Sequence, residues 1–356
     1  MKPRLLVIEM HHLGDAVMAL PVLRAASRKF EVRVLCRPAV AAMLGAAGPE
    51  CLPIPCAGWR EVFRQVPRLG AGDAAACAWP DTRAHLAMRR SAAGTRVGVR
   101  LAPGNFYGVA HAWRRRRLFA GQLAARALSL AGPLLTAGLD REPSAGTHWQ
   151  IWEQVGRSLA LTPDYSVPWM RVAAAPQKFQ TFVTDARAAG NHLVAVHAGG
   201  RLPTKRWAPG NFEALLKGWF PANRVSAAIL HAPGEPHPAP QAPGQEVFEC
   251  AEPAALPGFL ALADGALTHD SFAAHAAAAV GVPGVTIFGS GDPAWFAPFG
   301  SAGLAASSEA CTARPCVDRC IHASPLCLDE LSIRLVESKL SAMLQRLSPI
   351  PTSTNP

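Results

Sequence analysis

Short, nearly continuous apolar runs recur along this chain, separated by longer stretches whose apolar positions return at helical spacing. Leu5 to Glu9, Val32 to Cys36 and Ala75 to Ala78 have the length and character of strands buried on both faces, and Ala16 to Phe30, between the first two, has the pattern of a helix. This alternation predicts a parallel sheet covered by helices. A helix from about Thr147 to Leu161 then leads to Pro163 and Pro168, and Ala173-Ala174-Ala175-Pro176 resembles a linker. The second half repeats the scheme: a helix to Ala189, a strand from Leu193 to His197, a turn, a helix after Pro209, and further strands at Ala227 to His231 and Val285 to Phe288. Pro233 to Pro243 reads as a surface loop, Leu331 to Leu347 as a terminal helix and Pro349 to Pro356 as a frayed end. The expected organisation is a domain at 1–172, a second at 173–335, and a terminal helix and tail at 336–356.

Length and composition agree with two folded α/β domains. At 356 residues the chain exceeds what one core organises, and its 50% hydrophobic and 17% charged residues are those of a globular protein. Lys and Arg exceed Asp and Glu by 35 − 25 = 10, which suits acidic partners such as nucleotide phosphates or anionic lipid headgroups. No lysine-rich tail or RNA-binding aromatic signature accompanies that charge, and no nucleic acid partner is expected. Met1-Lys2-Pro3-Arg4 resembles the start of a signal peptide, but the apolar run that follows is only about six residues long and contains Glu9, so it is better read as the first strand. The best candidate membrane span, Leu118 to Leu139, is interrupted by Arg126 and Pro133 and falls short of about 20 uninterrupted apolar residues. These features place the protein in the cytoplasm.

The segment from Thr268 to Pro298 concentrates the candidate chemistry. Asp270 and Ser271 fall where a strand gives way to a helix, so backbone N–H groups and the positive end of a helix dipole face an anion there. His275 lies one helical turn later on the same face, the alanine run from Ala273 to Ala279 permits close helix packing, and Val285 to Phe288 forms the next strand. His269 has two readings, a metal ligand or a solvated turn histidine. Four of the nine cysteines cluster as Cys311, Cys316, Cys320 and Cys327, with four, three and six residues between them. Structural zinc or iron held by thiolates stands there against free core thiols or an opportunistic disulfide. The isolated Cys36, Cys51, Cys56, Cys77 and Cys250 are most simply core residues. Arg114 to Arg117, flanked by Trp113, Leu118 and Phe119, is either a solvated arginine face or a contact for an anionic glycolipid and its membrane.

Taken in order, four blocks resemble glycosyltransferase family 9, the heptosyltransferases of bacterial lipopolysaccharide synthesis. They are Leu5-Leu6-Val7-Ile8 with Leu13-Gly14-Asp15-Ala16-Val17 and Leu20-Pro21; Arg96-Val97-Gly98; His197-Ala198-Gly199-Gly200 followed by Lys205-Arg206-Trp207; and Asp270-Ser271 with His275. The resemblance covers nearly the whole chain. It implies the GT-B fold, two doubly wound Rossmann-like domains facing across a cleft, with acceptor on the first and nucleotide sugar on the second. It further implies inverting transfer of heptose from an ADP-activated donor to a lipopolysaccharide-core or related saccharide, with no cofactor needed for catalysis.

Residue by residue, the resemblance makes Asp15 the base that takes the acceptor hydroxyl's proton; its alternative is a cap for the helix that follows. Gly14 is expected to allow the tight turn that exposes Asp15. Lys205 becomes the counter-charge to the departing diphosphate, where otherwise it would be a solvated surface lysine. His197, Gly199, Gly200 and Thr204 supply imidazole, backbone N–H and hydroxyl contacts to the donor, and Glu235 resembles the acidic contact to ribose or sugar. With Asp270, Ser271 and His275 these complete the donor set, while Arg114 and Arg117 go to the anionic acceptor at the inner face of the cytoplasmic membrane. A subgroup that glycosylates autotransporter adhesins holds an iron with four cysteines, which bears on the cluster at Cys311 to Cys327. One departure stands out: the family usually has glycine after its Asp-Ser or Asp-Thr pair, and this chain has Phe272, a ring that would narrow the phosphate site. The alternatives kept open are another nucleotide sugar, a protein or small-molecule acceptor, or a module that binds nucleotide sugar without turnover.

Overall fold

Leu5, Leu6, Val7 and Ile8 are each no more than 2% exposed, as a central strand of a sheet covered on both faces requires. In the computed structural model they lie in β1 (Arg4–Glu9), the start of an all-parallel series. After it come α1 (Leu13–Lys29), β2 (Glu31–Cys36), α2 (Pro38–Ala47), β3 (Leu52–Pro55), α3 (Trp59–Gln65), β4 (Ala74–Cys77), α4 (Thr82–Arg90), β5 (Thr95–Leu101), β6 (Ala137–Arg141) and α5 (His148–Ser158). The structure describes residues 2–101, 134–141, 146–166, 168–312, 314, 316, 320 and 322–347. The chain divides into two units, Met1–Trp169 and Met170–Pro356.

The first unit's sheet has the order β3-β2-β1-β4-β5-β6, with every pair parallel. The order reverses between β1 and β4, and in such sheets ligands bind at that switch point, outside the strands' carboxyl ends. Arg4 pins the start of β1 beside that of β4: its backbone N–H and guanidinium donate to the Asp73 carboxylate at 2.7, 3.0 and 2.6 Å. Pro21 lies inside α1 and removes one backbone hydrogen bond, yet the helix runs on to Lys29.

The second unit contains α6 (Gln177–Ala188), β7 (His192–His197), a single 3₁₀ turn (Pro203–Lys205), α7 (Pro209–Lys217), α8 (Trp219–Ala222), β8 (Val225–His231), β9 (Gln245–Glu249), α9 (Leu256–Leu260), β10 (Gly265–His269), α10 (Phe272–Ala279), β11 (Gly284–Phe288), α11 (Pro293–Phe296), β12 (Ala305–Ser307), α12 (Leu326–Asp329) and α13 (Ile333–Leu344). Its sheet order, β12-β11-β10-β7-β8-β9, repeats that of the first unit, with the switch between β7 and β10. Side chains alternate strictly. Val194, Val196, Ala227 and Ile229 join a core under α7 and α13, whereas Leu193, Ala195, Ala228 and Leu230 join a core under α6, α9 and α10. Both faces are buried, so the strands read as continuous apolar runs.

The terminal helix is shorter than its apolar pattern, ending at Leu344, and Val336, Leu340 and Met343 seal it into the second unit's core. Ala173-Ala174-Ala175-Pro176 is irregular but packed: Ala175 is buried, and a Cβ on Gly258 would overlap the Ala173 carbonyl. No helix among the described residues is long and apolar enough to cross a membrane. Arg114 to Arg117 with their flanking aromatics, most of Leu118 to Leu139, and Pro349 to Pro356 lie outside the described residues.

Candidate active site

In the first unit the turn after β1 and the loop after β4 meet at the switch point. Asp15 is 5% exposed and stands at the third position of α1, where its Oδ2 accepts the His12 N–H at 3.1 Å. It is therefore not the helix cap, a place His12 takes, but the residue that reaches back to the cap's backbone. Gly14 is likewise helical, the second residue of α1, so the expected glycine turn and exposed carboxylate are corrected: Asp15 is presented by the helix itself and stays buried.

Its surroundings were not legible in sequence. Asp15 Oδ1 lies 4.0 Å from Nε2 of His148, which is buried at the start of α5. His148 packs on one side of Trp79 at 4.7 Å between ring centroids, and His11 stacks on Trp79 at the same distance. His11 lies 3.7 Å from both Glu9 Oε1 and Asp81 Oδ2. Burial opposes a charge on that ring, but Asp81 and Glu9 outweigh it and lift its pKa to about 9. Burial also works against the charge on Asp81, which His11 and Arg83 nevertheless hold well below the usual carboxylate range. The base candidate thus belongs to a polar cluster of Glu9, His11, Asp81 and His148 around one indole.

The second unit's switch point gathers the residues assigned to the donor. Lys205 Nζ donates to Asp270 Oδ2 at 2.7 Å, and the ammonium also lies 5.8 Å from the centre of the Phe296 ring. This lysine is held rather than free in solvent. Asp270 follows β10, and Ser271 caps α10 with extended backbone. Ser271 Oγ and His275 Nδ1 are buried and have no hydrogen-bond partner among the described residues. Burial, with a smaller push from Lys205, takes the His275 pKa down to about 4 against the pull of Asp270, so the ring is neutral. A Cβ on Gly291 would overlap Asp270 Oδ2, and Thr204 ties in the loop after β11 through its hydroxyl to Ser290 Oγ at 3.2 Å and its carbonyl to the Ser290 N–H at 3.1 Å.

Glu235 faces inward. Its Oε1 accepts the Gly200 N–H at 2.6 Å, and its Oε2 accepts the Ala232 N–H at 3.1 Å and lies 3.3 Å from His197 Nε2. Burial opposes the carboxylate's charge, but these partners hold its pKa at about 2. Gly199 is the residue that admits it, since a Cβ there would overlap the carboxylate, and Gly200 takes the left-handed side with φ of 149°.

Two expectations change here. His269 is fully buried rather than a solvated turn histidine. Phe272 is half-buried and packs against the core that contains Phe179, Phe259 and Ala276. The cysteines form no disulfide. Burial pushes the Cys327 pKa up to about 11, with Arg314 pulling against this and the thiols of Cys311, Cys316 and Cys320 adding to it. Among the described residues no three His, Cys, Asp or Glu side chains gather as metal ligands. Cys36, Cys56, Cys77 and Cys250 are buried and Cys51 is half-buried. Arg114 and Arg117 lie outside the described residues.

Residues 156–324 match the model of glycosyltransferase family 9 (heptosyltransferase). No curated protein matches the chain. Among solved structures, a glycosyl transferase family 9 protein from Veillonella parvula DSM 2008 is 13% identical, with a TM-score of 0.63 over 97% of this chain and 98% of that one. The E. coli heptosyltransferase WaaC with ADP is 16% identical, with a TM-score of 0.59 over 96% and 99%. The E. coli ADP-heptose lps heptosyltransferase II is 15% identical, with the same TM-score and coverage. At such identities the likeness establishes the fold, which is GT-B.

Proposed function

The chain carries a family 9 glycosyltransferase domain over residues 156–324 and is a glycosyltransferase, and from that premise we propose that it transfers a heptose from an ADP-activated donor to a lipopolysaccharide-core or related saccharide, with inversion. One observation carries the donor half. Within the matched domain, the N-terminus of α10 brings Lys205, Asp270, the unpartnered Ser271 hydroxyl and the unpartnered His275 nitrogen to the carboxyl end of β10. An ammonium, helix N–H groups and idle polar atoms are what a diphosphate asks for.

In this proposal Asp15 takes the proton of the acceptor hydroxyl as that oxygen attacks the anomeric carbon. The bond from that carbon to the diphosphate oxygen breaks, and ADP departs with the electron pair. Lys205 and the α10 N–H groups receive the growing negative charge, and Thr204 and Ser271 orient the phosphates. His197, Gly199 and Gly200 line the donor side, and Glu235 acts by fixing the Gly200 turn. Arg114, Arg117 and the net charge of +10 favour an anionic glycolipid acceptor at the inner face of the cytoplasmic membrane. No step uses a metal. The binding-only alternative drew its support from Phe272, and the packing of that ring against the core weighs against it.

Calorimetric titration with ADP, UDP, GDP and an ADP-heptose analogue tests the donor. Selective ADP binding is expected, weakened roughly tenfold or more by Lys205→Ala. Preference for another nucleotide would change the donor, and no binding at all would remove the proposal. Asp15→Asn should abolish transfer while leaving donor affinity nearly unchanged; a fully active variant removes Asp15 from the mechanism.

A further inference from the structure

His269 ends β10, is fully buried and makes two hydrogen bonds to backbone. Its Nε2 lies 2.9 Å from the Trp207 amide nitrogen and its Nδ1 3.0 Å from the Gly199 carbonyl oxygen. An amide N–H only donates and a carbonyl only accepts. Nε2 must therefore carry the lone pair and Nδ1 the proton, one fixed neutral tautomer. Phe212 meets the ring edge-on at 5.3 Å, which fixes its plane.

Those two bonds join three segments distant in sequence. Trp207 closes the Lys205-Arg206-Trp207 stretch. Gly199 belongs to the turn after β7, where the Gly200 N–H holds Glu235 and the Gly200 carbonyl accepts Arg206 Nε at 2.5 Å. Asp270, the partner of Lys205, is the next residue after His269 itself. The Lys205–Asp270 ion pair therefore spans the same two backbones that the imidazole clamps together.

We propose that His269 is a positioning residue of the donor site: through the Trp207 amide and the Gly199 carbonyl it sets the ammonium of Lys205 and the Gly199-Gly200 turn for a nucleoside diphosphate, an inference that rests on the donor assignment above. A glutamine side chain carries both a donor and an acceptor and can keep the clamp in part, whereas phenylalanine keeps the ring packing and loses both bonds. Burial holds the imidazole pKa at about 4, opposed by the Gly199 carbonyl and Asp270 and reinforced by His197 and Arg206, so the clamp persists at neutral pH.

The test is a set of ADP titrations on wild type, His269→Gln, His269→Phe, Lys205→Ala and the double variant His269→Phe/Lys205→Ala, with folding checked by near-ultraviolet circular dichroism. ADP should bind His269→Phe roughly tenfold more weakly and His269→Gln within about threefold of wild type. Lys205→Ala should cost much less in the His269→Phe background than alone, because a misplaced ammonium has little left to lose. Full ADP affinity in a folded His269→Phe, or strictly additive losses, overturns the inference while leaving the donor assignment standing. A wild type that binds no nucleotide overturns both. Nitrogen-15 correlation spectra of the wild-type histidines decide the matter if the phenylalanine variant does not fold. A proton on Nδ1 that stays there from pH 5.5 to 8 is expected; a proton on Nε2, or titration near the ordinary histidine value, refutes the clamp.

Discussion

Gly199 shows how a residue without a side chain can decide a site. Its missing Cβ leaves the space that the Glu235 carboxylate occupies, and that carboxylate in turn holds the Gly200 and Ala232 N–H groups beside His197. Gly199→Ala is expected to drive Glu235 out, costing about 1–3 kcal/mol of stability and weakening nucleotide binding. Urea denaturation and an ADP titration measure the two effects, and an alanine variant matching wild type in both would show that the carboxylate has another place to go. The residues of this turn were legible because glycines after a predicted strand have few other uses. His11, Trp79, His148 and His269 were not, since each acts through contacts between distant segments; Trp207 and His269 are 62 positions apart. Nothing local in a sequence marks such a pair. The same holds for Asp15, whose place after the first strand was evident but whose burial against His148 depends on α5.

At the scale of elements, α10 shows what a helix of small residues contributes. Ala273, Ala276 and Ala277 bring its axis close against the sheet, and Phe272 at its first position locks its rotation by entering the same core. The helix N-terminus is thereby held in place by packing on the core side. Phe272→Gly, which restores the residue usual in the family, should lower stability by about 1–3 kcal/mol through lost apolar burial. ADP affinity should stay within about twofold of wild type. Tighter binding by the glycine variant, in the same titration, would mean that the phenyl ring obstructs the phosphates after all. β1, β2, β4, β7, β8 and β11 were legible to within a few residues because burial on both faces writes continuous apolar runs into the chain, whereas β3, β5, β6, β9 and β12, which carry weaker or interrupted runs, were not read. The orientation of the Phe272 side chain was not legible, because sequence position alone does not say which way a side chain at a helix start will turn.

The two units share one strand order but differ in their titrating histidines: burial lowers His85 in the first unit as it does His269 and His275 in the second, whereas His11 in the first is raised. In the second unit His269 and His275 have pKa values of about 4 because burial disfavours their charge. Once unfolded they regain the ordinary value of about 6.5, so the unfolded chain binds protons first on acidification. Their contribution is complete above about pH 6.5 and is lost as pH falls towards 4. In the first unit the His11 pKa is raised to about 9 by Asp81 and Glu9, against the effect of burial. Its contribution is complete below about pH 6.5 and is lost as pH rises towards 9. Because 22% of that side chain reaches solvent, it amounts to about 1–2 kcal/mol after screening. The buried thiols add to the alkaline loss only above their ordinary range, since burial raises Cys36 and Cys250 to about 12. Hydrogen exchange followed by mass spectrometry, read separately over residues 2–101 and 170–312, should therefore show different balances of acid and alkaline loss. Between pH 6.5 and 5 protection falls first in the second segment, and between pH 7 and 9 it falls first in the first segment, after correction for intrinsic exchange. His11→Gln should flatten the alkaline decline and leave the acidic one unchanged. Parallel loss in both segments at either end would show that the units unfold as one cooperative body, and that the histidines do not set the balance between them.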